Sequence, residues 1–86
     1  MFTNKLSNGR NNICGSIIER RRKELHKSQR QFADMLQLAG LDIDKNAVQR
    51  IEAGKRFVTD IELTYIAEVL NLSYDQLLHP ADQEEL

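Results

Sequence analysis

Eighty-six residues, 41% of them hydrophobic, allow one small domain with a single core of thin margin. The lone cysteine, Cys14, excludes an internal disulfide and fits a reducing compartment, the polar N-terminus has no secretory pattern, and no apolar run approaches a membrane span; a cytoplasmic protein is expected. The net charge of −1 hides a strong division: all 12 basic residues lie at or before Arg56 beside six acids, giving +6, and the other seven acids beyond it give −7, a polarity that suits an anionic partner on one face.

Residues 1–11 mix Asn, Ser, Gly, Lys and Arg without periodicity and are expected to form a flexible N-terminal arm. From Asn12 the pattern turns helical. Ile13, Ile17, Ile18 and Leu25 share a face with Cys14 among them, and no breaker follows Gly15. Glu19 with Lys23, and Arg20 with Glu24, are i,i+4 opposite-charge pairs, so "RRRK" reads as a partly neutralised helix surface. Arg21 falls inside the apolar stripe: either its stem lies on the core with the guanidinium reaching out, or it meets a buried carboxylate.

Ser28 opens a second helix through a capping box with Gln31; Phe32, Ala33 and Leu36 face inward, and Gly40 is placed to stop it. Asp44 can cap a third helix, "KNAVQRIEA", over 45–53, which Gly54 ends. Thr59 with Glu62 and Ser73 with Gln76 are further capping boxes, opening a fourth helix through Leu63, Ile66, Ala67 and Leu70 and a short fifth presenting Leu77 and Leu78. Strand signals are absent, so an all-α bundle of five helices is expected over residues 12–79, with an acidic tail over 80–86.

The third helix carries the chemistry. At ~100° per residue, Lys45, Asn46, Gln49 and Arg50 share one face with only Ala53 between them, while Ala47, Val48 and Ile51 form the opposite, apolar face. These are the residue types that read base edges: Arg and Lys pair with guanine, Asn and Gln with adenine. No carboxylate stands on that face to repel phosphates. A solvated helix face is often polar for no further reason. Here, however, the helix follows another across a turn, and the neighbouring segments supply phosphate-binding groups: Gln29 at a helix N-terminus, and Lys55 and Arg56 just past the third helix.

"SQRQFA", "NAVQRIEAGKR" and "LTYIAEVLNLSYDQLL" together resemble the phage repressor and Cro-like (XRE-type) helix-turn-helix family over about residues 13 to 78. The resemblance implies a five-helix, lambda-repressor-like bundle that binds operator DNA as a homodimer. By position it implies that Gln29 holds a phosphate and that Lys45, Asn46, Gln49 and Arg50 lie at or beside base-contacting positions. It implies too that Lys55 holds a phosphate beyond the helix and that Glu52 matches the family glutamate that pairs with an arginine of the first helix, which aligns with Arg22. Arg21 competes for that role on wheel geometry; Arg22 is preferred.

The chain departs from the family in carrying charge at Arg21 and Lys27, and in the length between its second and third helices. Ala33 to Glu52 spans 19 positions, about five more than is usual, in the stretch "LAGLDID". A loop grown from four to about nine residues adds only roughly 1 kcal/mol of closure entropy. Leu41 and Ile43 are expected to pin it to the core, with Asp42 facing water and Asp44 capping the third helix. The reading is a sequence-specific duplex-DNA-binding transcriptional regulator, expected to be a repressor, that places helix 45–53 in the major groove. Tyr74, Leu77, Leu78 and the tail are candidates for the dimer surface. The alternative is a helix-turn-helix protein-interaction module, such as an antitoxin or anti-repressor partner, that uses the acidic C-terminal third. His26 and His79 lack a nucleophile or carboxylate constellation, so no enzyme, cofactor, metal or small-molecule substrate is expected.

Overall fold

The computed structural model describes residue 6 and residues 8–79. The 80–86 tail and most of the 1–11 arm thus lie outside the described residues. Five helices follow in order: α1 Gly15–Glu24, α2 Gln29–Ala39, α3 Lys45–Glu52, α4 Asp60–Leu70 and α5 Tyr74–Leu78. Among the described residues there is no strand, and no helix is long and apolar enough to cross a membrane. The fold is the all-α, five-helix helix-turn-helix bundle expected.

The helix starts follow from local chemistry. Ser28, Thr59 and Ser73 each accept a hydrogen bond from the backbone N–H three residues on, and the side chains of Gln31, Glu62 and Gln76 in turn accept one from the cap residue's own backbone N–H. Asp44 accepts from the Ala47 N–H at 2.8 Å and opens α3. α1 is different: Cys14 gives no side-chain cap, and Asn12 Oδ1 accepts the Gly15 N–H instead, at 2.8 Å. α2 and α3 are stopped by left-handed glycines. Gly40 (φ 116°) ends α2, with Leu41 N–H reaching back to Leu36 O at 2.9 Å; Gly54 (φ 77°) ends α3, with Lys55 N–H reaching Arg50 O at 2.9 Å.

The core gathers side chains from every helix: Ile17 and Ile18 of α1, Phe32 and Leu36 of α2, Val48 and Ile51 of α3, Ile66 and Leu70 of α4, and Leu77 of α5. Each such side chain, fully buried, contributes roughly 1.5–3 kcal/mol. Leu77 is completely buried and so leaves the candidate dimer surface, while Tyr74 and Leu78 remain exposed. α3 packs on α1 and α2, and α5 packs on α1 and α4.

The segment before α3 is shorter than its sequence suggested. α2 continues through Leu38 and Ala39, because no breaker precedes Gly40, and the connection is residues 40–44 only. Part of the added length is therefore helix. Ile43 is buried and Leu41 half-buried, Asp42 is exposed, and Gln37 Nε2 donates to Ile43 O at 2.8 Å. The connection lies against the core, with its second acid used as a cap.

Arg21 resolves in favour of the outward-reaching alternative. Its Nε donates to Leu70 O, in the last turn of α4, at 3.0 Å, and its Nη1 lies 3.4 Å from Glu24. A carbonyl left over at a helix end takes the place of the buried carboxylate.

Candidate nucleic-acid interface

α3 is presented by its back. Val48 and Ile51 are buried and Ala47 half-buried, which turns Lys45, Asn46, Gln49, Arg50 and Ala53 to solvent. Asn46, Gln49, Arg50, Ala53 and Lys55 line one shallow concave surface that contains no carboxylate. Lys45 lies apart from them, in a second groove between α2 and the start of α3, together with Arg30, Gln37, Asp34 and Asp44. Arg30 is a cation that sequence reasoning missed. Its only signal there is its place in the first turn of α2, directly after Gln29.

Glu52, the last residue of α3, is buried. Its carboxylate accepts from Arg22 Nε at 2.7 Å and from Arg22 Nη2 at 2.9 Å, a bidentate pair with both side chains out of water. Arg22 Nη1 donates to Lys27 O at 2.9 Å, and the Glu52 bond holds the guanidinium pKa above its ordinary value. This joins α1 to α3 through charge-assisted bonds whose directions set the angle between the helices. Gln29 enters the same cluster: its Nε2 donates to Glu52 Oε1 at 3.0 Å. One amide hydrogen of Gln29 is thereby fixed, and the side chain is held beside the α2 N-terminus, where backbone N–H groups lack helical acceptors.

Lys55 and Arg56 divide. Lys55 is exposed at the edge of the α3 surface. Arg56 binds Glu62 through two contacts of 3.0 and 2.8 Å, and its Nη1 also donates to Phe57 O at 3.1 Å. The Arg56 bond holds the Glu62 carboxyl below its ordinary pKa, and Glu62 raises that of Arg56. The sequence placed Arg56 with the DNA groups because it follows Lys55. In space its charge is matched by the capping-box glutamate of α4.

Sequence reasoning missed Arg10 and Asn12. Asn12 is buried, and its Nδ2 donates to Ile51 O at 3.0 Å and to Arg56 O at 2.8 Å. Arg10 Nη2 donates to Glu52 O at 2.9 Å. Nothing in the local pattern of a polar segment reveals partners some forty positions away. Cys14 is buried, and that burial pushes its thiol up to about 11.

Two helices joined by a short turn, the second offering a polar, acid-free face, define the helix-turn-helix class. A family model described as helix-turn-helix matches residues 18–77, and the chain belongs to that family, in its XRE-type, DNA-binding regulatory form. No curated protein and no solved structure matches the chain.

Proposed function

We propose that the chain is a sequence-specific regulator that inserts α3 into the major groove of duplex DNA and represses by occupying an operator. The observation that carries this reading is the single surface formed by Asn46, Gln49, Arg50, Ala53 and Lys55, which holds base-reading groups, a phosphate-binding lysine and no carboxylate. Asn46, Gln49 and Arg50 read bases, with Lys45 at the groove's edge. Lys55 and the α2 N-terminus at Gln29 hold the backbone on either side of α3. Arg56 acts indirectly, by fixing the turn that carries Lys55.

Two copies bind together, each reading one half-site, and this reading assigns exposed Tyr74 and Leu78 to the face between them. The test is selection of bound sequences from random duplexes. It should return two related half-sites about one helical turn (~34 Å) or a multiple apart. Asn46→Ala and Arg50→Ala should each relax preference at one base position, and Lys55→Ala should weaken all sequences alike and lower the salt slope by about one phosphate. An unchanged selected sequence with either of the first two variants would refute the assignment of the reading face. Retention of a protein partner by the acidic C-terminal surface, with no duplex retained, would favour the interaction-module alternative.

A further inference from the structure

The end of α3 is closed by a segment far away in sequence. A helix leaves its last carbonyls without internal partners. Here three consecutive residues serve that end and the turn after it. Arg10 donates to Glu52 O at 2.9 Å. Asn11 donates from its backbone to Gly54 O at 2.7 Å and from its side chain to Lys55 O at 3.1 Å. Asn12 donates to Ile51 O at 3.0 Å and Arg56 O at 2.8 Å. Five carbonyls within six positions are thus gripped by one strap, whose guanidinium also places a positive charge at the negative end of the α3 dipole.

The strap has a seat. A methyl group at Gly54 would come within 2.7 Å of Arg10 Cζ and Nε, and one at Gly15 within 2.7 Å of Arg10 Nη2. Two glycines from different parts of the chain therefore leave the space that Arg10 occupies. The strap precedes residues 18–77, the span matched by the family model.

We propose that Arg10, Asn11 and Asn12 are positioning residues of the DNA site, fixing the C-terminal half of α3 and the Lys55 turn in the pose that reads bases. The inference rests on the DNA-binding reading above. Base-edge hydrogen bonds tolerate only about 0.5 Å of misplacement. The first turn of α3 is secured by the Asp44 cap, whereas its last turn and Lys55 are held by the strap and by the Arg22–Glu52 pair. Arg10 acts through the Glu52 carbonyl, so its loss should degrade reading selectively, without removing a phosphate contact.

The experiment compares wild type, Arg10→Ala, Arg10→Lys and Asn11→Ala on the duplex selected with the wild type. Each is measured by anisotropy across a salt series and by a single-base substitution scan, well below each variant's thermal midpoint. Arg10→Ala should bind roughly threefold to tenfold more weakly with the salt slope unchanged, and should lose preference at the bases read by Gln49 and Arg50 while keeping it at those read by Asn46. Arg10→Lys should recover part of the loss. Asn11→Ala, a milder change at an exposed bond, should show a smaller loss of the same pattern. A salt slope lowered by about one phosphate in Arg10→Ala would overturn the inference by making Arg10 a direct DNA ligand. A uniform loss at all bases, or none, would overturn it equally. Wild-type protein that binds no duplex would defeat the DNA-binding reading itself; wild-type binding that Arg10→Ala reproduces in full defeats only the strap.

Discussion

Glu52→Ala is the sharpest test of how α1 and α3 are held. The substitution removes the acceptor of three bonds, two from Arg22 at 2.7 and 2.9 Å and one from Gln29 at 3.0 Å, and leaves a guanidinium buried with one remaining partner, Lys27 O. Removing one member of a buried ion pair costs about 3–5 kcal/mol, because the desolvation of the other is no longer offset. At roughly 0.05–0.15 kcal/mol per residue, the whole chain holds about 4–13 kcal/mol, so the loss is about a quarter of the total or more. With about 4–8 °C per kcal/mol for a domain of this size, the thermal midpoint should fall by about 12–40 °C. The chain has no tryptophan, so urea and thermal unfolding are best followed by circular dichroism of its helices. The double variant Arg22→Met/Glu52→Leu removes both charges while keeping much of the volume. It should return to within about 1 kcal/mol of wild type or exceed it. A single variant that costs less than about 1 kcal/mol, or a double variant as unstable as the single, would refute the desolvation argument.

Asp44→Ala should cost about 1 kcal/mol by removing the α3 N-cap, lowering the thermal midpoint by about 4–8 °C and speeding hydrogen exchange at the Ala47 amide. Glu62, held below its usual 4.5 by Arg56, contributes stability that is present above that value and is lost as pH falls through the depressed one. Urea midpoints taken from about pH 7 to about pH 3 should therefore decline on the acid side, and Glu62→Gln should flatten that decline. Gly15→Ala should destabilise by about 1–3 kcal/mol in denaturant titration, since its methyl overlaps the Ile51 carbonyl oxygen and crowds Asn12 Oδ1 at 2.8 Å. An unaltered midpoint would show that α1 can move away from α3 without cost.

The helices and their order were legible in the residues because their signals are local. A capping serine and its glutamine three residues on interact within one turn, a stop glycine acts on its own backbone, and the apolar stripe of α3 can be read from nine residues. The polar face of Lys45, Asn46, Gln49 and Arg50 was legible for the same reason. Two local signals compete at the end of α2: Gly40 marks the stop correctly, while "LAGLDID" reads as an enlarged loop although its first two residues, Leu38 and Ala39, are helix.

What the sequence determined by itself, then, is a five-helix bundle, the likeness to one family, and which face of α3 turns outward. The tertiary structure decided which charges remain available to a partner. Lys55 and Arg56 are neighbours of like charge in the chain, yet only Arg56 meets Glu62. Arg10 and Asn11 look like the end of a polar arm and Asn12 like the first residue of the helical pattern, yet all three close the end of α3. Such partnerships join groups from about six to more than forty positions apart whose proximity exists only once the helices have packed. A side chain's residue type sets what bonds it can make, and the fold sets whether a partner is within reach.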